Sequence, residues 1–182
     1  MNYSAIKNCD IANGPGVRVS LFVSGCTHHC RGCFNQVTWP FESGEPFTQE
    51  VEDRIIQLAA PAYVGGLSLL GGEPCENENL PAVIRLCERF RRLYPDKTIW
   101  CYSGYTFEQL TGLAPCRTDT ALAMRLLRLT DVLVDGEFIL ARKDITLRFR
   151  GSDNQRVIDV PRSLPRLTPV LWEDDPMLRH GH

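Results

Sequence analysis

The chain of 182 residues carries a formal net charge of −2 and is 43% hydrophobic and 23% charged. This length suits one domain, alone or with a tail, and falls short of the roughly 250 residues that a full eight-stranded β/α barrel takes. The composition excludes global disorder and collagen-like structure. No apolar run approaches the roughly 20 residues of a membrane span, and the near-neutral charge gives no general reason to expect nucleic acid as a partner.

Residues 1–8 lack the apolar stretch of a secretory signal, so the expected setting is cytoplasmic. The β-forming run 18–23 predicts a strand that leads into three cysteines, Cys26, Cys30 and Cys33. Thr48 is placed to cap a helix through about residue 60, with Val51, Ile55 and Leu58 on one face. Residues 67–70 form a short apolar strand ended by Gly71 and Gly72. In residues 80–94, Leu80, Val83, Ile84, Cys87, Phe90 and Tyr94 share one stripe, the pattern of an amphipathic helix. A strand follows over 98–102 and stops at Ser103 and Gly104. Thr106 and Gln109 match a capping box that opens a short helix. Residues 119–129 predict another helix, 131–136 a strand and turn, and 156–160 a last strand. The stretch 161–182 contains Pro161, Pro165, Pro169 and Pro176 and reads as an irregular tail behind a domain of residues 1–160.

Short apolar strands separated by helices imply βα units, an α/β fold and a mainly parallel sheet. In such a sheet the site lies beyond the carboxyl ends of the strands. Four segments sit there: the cysteine loop, Gly71 to Pro74, Tyr102 to Gly104, and Asp135 to Glu137.

The chain has eight cysteines, an even number that would allow four disulfides. In a cytoplasmic setting thiols stay reduced, and three cysteines within eight residues point to a metal or cluster instead. Three thiolates hold three corners of a four-iron cluster and leave one iron to bind a small molecule. An electron-carrying cluster normally has four cysteines. A structural zinc is the competing reading, with a fourth ligand from His28, His29, Cys9 or Cys75. No second CxxC or HxxxH pair is present to complete the usual zinc pattern. The other five cysteines, Cys9, Cys75, Cys87, Cys101 and Cys116, read as structural, with Cys87 and Cys101 in apolar patterns.

Cys26-x3-Cys30-x2-Cys33, followed at the next strand end by Gly71, Gly72, Glu73 and Pro74, resembles the radical S-adenosylmethionine (SAM) superfamily. Gly14-Pro15-Gly16-Val17-Arg18 resembles the approach segment of activating enzymes for glycyl-radical enzymes. Two further stretches, residues 100–106 and 150–159, resemble the branch that activates anaerobic (class III) ribonucleoside-triphosphate reductases. The matches run from about residue 9 to 160. One departure is Gly32, where many superfamily members carry an aromatic residue; here the aromatic, Phe34, follows the third cysteine.

The resemblance implies a partial, open β/α barrel of six or fewer strands with an open lateral mouth. It implies a [4Fe–4S] cluster on Cys26, Cys30 and Cys33 whose open iron chelates SAM, with flavodoxin or ferredoxin as reductant. The resulting 5′-deoxyadenosyl radical would take a hydrogen from a glycine of the large reductase subunit. Gly71, Gly72, Glu73 and Pro74 would receive the SAM amino group, with Glu73 facing it, and Tyr102, Ser103 and Asp135 are further candidate contacts, Asp135 for SAM, for a cation beside it or as the cap of the following turn. Arg18, Arg148, Arg150 and Arg156 would face the SAM carboxylate, the partner or solvent. His28 and His29 would be exposed residues shaping the cluster rim. Competing readings are a pyruvate formate-lyase-type activator, a 7-carboxy-7-deazaguanine synthase, a plain electron carrier and a non-catalytic zinc module.

Overall fold

The computed structural model describes residues 1–173. Asn2–Asp10 (β1) and Val17–Val23 (β2) pair antiparallel, and Glu45–Pro46 (β3) adds two residues to the outer edge of β1. β2 then pairs in parallel with Val64–Gly71 (β4), β4 with Thr98–Ser103 (β5), and β5 with Val132–Asp135 (β6). Arg156–Asp159 (β7) closes the far edge antiparallel to β6. The seven-stranded order is β3-β1-β2-β4-β5-β6-β7.

The expectation of six or fewer strands, mainly parallel, is therefore corrected. The sheet has seven strands, parallel at its centre and antiparallel at both edges. The two unpredicted strands lie at one edge. β1 is half-exposed and its register with β2 breaks between Tyr3 and Ala5 and again between Lys7 and Asp10. Such bulges erase the two-residue alternation by which a strand is read. β3 is too short to leave any pattern.

Strand alternation sorts the central residues onto two faces. Val19, Leu21, Leu67, Leu69, Ile99, Cys101, Leu133 and Ile158 point to one face and are at most 1% exposed. They join the buried residues of helices Gln49–Ala59 (α1), Leu80–Leu93 (α2), Phe107–Leu110 (α3) and Thr120–Leu127 (α4) in one core. The other face carries Arg18, Ser68, Trp100, Tyr102 and Val134, and no helix among the described residues packs the full length of it. It is closed instead by the β6–β7 connection, through Phe149, and by Trp172, whose ring centre lies 5.1 Å from that of Trp100.

The helices form where their caps and stripes predict, with one shift. Thr48 caps α1, but the buried face is Glu52, Ile55, Ile56 and Ala59 rather than Val51, Ile55 and Leu58. Glu52 is 2% exposed because Arg85 and Arg89 of α2 meet its two oxygens at 2.9 and 3.1 Å. Thr106 and Gln109 make the full capping box of α3. Asp119 caps α4 by accepting from the backbone N–H groups of Ala121 and Leu122. Asp119→Ala is expected to lower stability by about 1 kcal/mol, the usual worth of such a cap. An unchanged urea midpoint would show that α4 does not depend on it.

After β7 the chain forms a short helix, Val160–Ser163 (α5), and then turns back along the sheet edge. Ile158 bridges Leu171, and the Trp172 N–H donates to the Val157 carbonyl at 2.8 Å. So the stretch expected to be an irregular tail packs against β7 as far as Trp172, while Pro176 lies outside the described residues. No helix among the described residues is long and apolar enough to cross a membrane.

Candidate active site at the strand ends

Beyond the carboxyl ends of β2, β4, β5 and β6 lies a cavity of about 390 Å³. It is lined by Cys26, Cys30, Cys33, Gly71, Gly72, Glu73, Tyr102 and Ser103. Ten residues were singled out in the sequence as site candidates; these eight are brought together. Pro74 is buried behind the turn, and Asp135 does not line the cavity.

The cysteine loop and the glycine turn are laced by backbone hydrogen bonds. The Gly72 N–H donates to the Val23 carbonyl at 2.7 Å and the Glu73 N–H to the Gly25 carbonyl at 2.8 Å. The approach is close enough to demand glycine. A Cβ at Gly71, whose φ is +109°, would sit 2.7 Å from the Phe22 backbone, and one at Gly72 would sit 2.5 Å from the Gly25 oxygen.

Backbone N–H groups lie near the thiols. Asn35 donates to the Cys33 Sγ at 3.3 Å, His28 and His29 to Cys26, and Phe138 to Cys30. Burial nevertheless pushes the Cys26 thiol up to about 12, with the charge of Glu73 adding to it, and burial raises Cys30 too. Thiols this reluctant to ionise need a cationic centre against them to become ligands. Three soft sulfur donors brought to one cavity fit an iron–sulfur cluster. No three His, Cys, Asp or Glu side chains among the described residues converge on a single-ion position.

Glu73 is held by groups of its own loops. Its carboxylate is 1% exposed and already accepts from the Cys75 N–H at 2.9 Å, the Ser103 hydroxyl at 2.9 Å and the Gly104 N–H at 2.6 Å. It holds two strand-end loops together rather than presenting free oxygens to the cavity, and Ser103 is committed to it. The Tyr102 hydroxyl is different: it is buried, makes no hydrogen bond among the described residues, and burial raises its pKa well above the usual phenol value. His29 is exposed, as expected, and stacks on Trp39. His28 is not: its side chain is 4% exposed.

The family model for a 4Fe-4S single cluster domain matches residues 12–158. Curated relatives agree in name. The anaerobic ribonucleoside-triphosphate reductase-activating protein of Vibrio cholerae serotype O1 is 46% identical over 157 residues, 85% of this chain and 96% of the relative. Those of Escherichia coli K12 and Salmonella typhi are 43% and 42% identical over 159 residues, each alignment covering 86% of this chain and 97% of the relative. The chain belongs to the anaerobic ribonucleoside-triphosphate reductase-activating protein family.

Within this member of the activating-protein family, the arginines singled out in the sequence have partners of several kinds. Arg18 is 1% exposed and does not line the cavity: it donates to Ser68 Oγ at 2.7 Å, Thr98 Oγ1 at 2.9 Å and the Leu67 and Thr98 carbonyls at 2.8 and 2.9 Å. Arg156 meets Asp135 at 3.0 and 2.5 Å and Glu108 at 3.0 and 2.7 Å. The Asp135 carboxylate also accepts from the Phe107 N–H at 2.7 Å, which ties β6 to the start of α3. The Arg148 guanidinium lies 4.9 Å from the centre of the Phe149 ring. Arg150 does line the cavity, and it donates to the Gln155 carbonyl at 2.8 Å.

The activating-protein chain also uses residues that its sequence did not single out. Phe138, Leu147, Phe149 and Gln155 of the β6–β7 connection form the cavity's outer wall. Gln155 folds that connection by accepting from the Gly151 and Ser152 N–H groups and donating to the Gly136 carbonyl. The stretch from Arg150 to Arg156 was legible as a motif, but not as a wall.

Proposed function

We propose that this chain is a radical SAM oxidoreductase that installs a glycyl radical on an anaerobic ribonucleoside-triphosphate reductase. The observation that carries the reading is the convergence of three cysteines, a glycine turn and Tyr102 on one cavity at the strand ends. The names of its relatives support the reductase as target. Cys26, Cys30 and Cys33 hold a [4Fe–4S] cluster, with SAM beside it. When bound, a cluster with one iron free of protein ligands supplies the electron that cleaves SAM to methionine and a 5′-deoxyadenosyl radical.

The chain's own residues do the positioning. Gly71 and Gly72, without side chains, let backbone oxygens reach the SAM amino group. Glu73 acts one bond further back, fixing the turn through Cys75, Ser103 and Gly104. Tyr102 forms part of the cavity lining, and the wall from Phe138 to Gln155 shields the site from water. We read the strand arrangement as an open relative of the β/α barrel, with residues 1–160 as the SAM domain, a cytoplasmic setting, and flavodoxin or ferredoxin as reductant.

The test is anaerobic. The reconstituted protein is given SAM, dithionite and the reductase, and is expected to be brown, to hold about four irons, to release 5′-deoxyadenosine and to raise a glycyl doublet on the reductase in electron paramagnetic resonance. Turnover of a small substrate with no doublet would move the chain to another radical SAM activity. A colourless protein with one zinc would end the enzyme reading.

A further inference from the structure

His28 sits between Cys26 and Cys30, yet its imidazole leaves its own loop. Nδ1 lies 2.7 Å from Glu137 Oε1, beyond the end of β6, and Nε2 lies 3.4 Å from Glu73 Oε2, beyond the end of β4. The second contact has ion-pair distance without hydrogen-bond alignment. The ring packs edge-on to Tyr105 at 4.4 Å between centres. Gly104 makes room for it: a Cβ there would come within 2.6 Å of the ring. Beside it, Thr27 is tied to the same acidic turn, its N–H and hydroxyl meeting Glu76 Oε1 at 2.8 and 2.6 Å.

We propose that His28 is a positioning residue that sets the distance between the cluster loop and the SAM turn, by bridging Glu73 and Glu137 from inside the CxxxC segment. This rests on the function proposed above. The physical need is clear. Cys26, Cys30 and Cys33 fix the cluster to one loop, and the glycine turn fixes SAM to another. The two loops leave different strands; backbone bonds join them at their roots, from Val23 and Gly25 to Gly72 and Glu73, and Thr27 ties the first loop to Glu76 further along the turn. The imidazole joins them at the tip and adds the β6 end as a third anchor. A relative shift of about 1 Å at a reacting centre can cost a hundredfold in rate, so a rigid tie at this place bears directly on SAM cleavage. His28 needs no proton-transfer role for this.

Two variants attack the tie by different routes. His28→Ala removes it, and Gly104→Ala displaces the ring by crowding while leaving every polar group in place. Both are expected to bind parental amounts of iron, because the three cysteines remain. Both should lose the SAM-induced change in the resonance spectrum of the reduced cluster, and kcat/KM for SAM should fall at least about tenfold. In the cluster-free chain, amide hydrogen exchange should accelerate in residues 26–33 and 71–76 together. Adding Glu137→Ala to His28→Ala should cost little more, since both remove one contact.

Unchanged exchange in residues 71–76, or a full SAM-induced spectral change in His28→Ala, would overturn the proposal. So would loss of iron in both variants, which would make His28 a support of the cluster loop alone. If the parent fails to cleave SAM while exchange accelerates in both loops of the variants, the functional reading falls and the tie stands.

Discussion

Replacing any one of Cys26, Cys30 and Cys33 with alanine is expected to reduce 5′-deoxyadenosine formation from SAM to the level seen without protein. The chain should still fold. Cys30 and Cys33 are half-buried, and the Cys33 sulfur takes a single weak N–H contact from Asn35. Loss of such a side chain at the surface costs within about 0.5 kcal/mol. Cys26 is more enclosed, at 9% exposed, and its replacement should cost more, about 1 kcal/mol. The contrast is with Cys87. It is fully buried in the core under α2, where burial raises its thiol pKa well above normal. A protonated thiol there behaves as a small apolar side chain. Cys87→Ala should lower the thermal midpoint, leave iron content unchanged and retain SAM cleavage. Iron content, midpoint and 5′-deoxyadenosine yield, measured on all four variants, separate the ligand set from the structural cysteines. Retained cleavage in Cys26→Ala, Cys30→Ala or Cys33→Ala would break the cluster assignment.

What was legible in the sequence follows the range over which each signal is written. The cysteine loop, the glycine turn, the α3 capping box and the α2 stripe are written within a few neighbouring residues, and the structure places each element where its pattern puts it. The burial of His28 is written across the chain, since it depends on Glu137, 109 positions away, and on a missing Cβ at Gly104. A local reading therefore leaves that ring on an exposed rim. Glu52 and Arg18 fail for a related reason. Pattern reading sends charges outward, but Glu52 is covered by arginines of a different helix, and Arg18 finds neutral oxygens on two neighbouring strands, with Gly14 and Gly66 small enough to admit it. The strand count failed at the edge for want of periodicity: β1 is bulged and β3 has two residues.

Asp135 shows how the same chemistry supports two readings until partners are seen. An ionised carboxylate at the end of an apolar strand needs a partner, and Arg156 supplies one. The pairing is lopsided: Asp135 is 1% exposed and the Arg156 side chain 33%. Glu108, with the guanidinium at 2.7 Å, shares the arginine and is held below the usual carboxylate range mainly by hydrogen bonding to it. Removing one side should therefore differ sharply from removing the other. Arg156→Ala strands a buried carboxylate with one remaining N–H donor, from Phe107, and is expected to cost about 3–5 kcal/mol. Asp135→Asn leaves a neutral amide in place and an arginine that keeps Glu108 and reaches water, so its cost should be about 1–2 kcal/mol. The double variant then has no stranded charge and should be more stable than Arg156→Ala alone, a sign reversal that additive effects cannot produce. Urea unfolding of the three variants and the parent reads all four values. If Arg156→Ala costs less than Asp135→Asn, or if the double variant is the least stable of the set, Asp135 does not depend on this arginine.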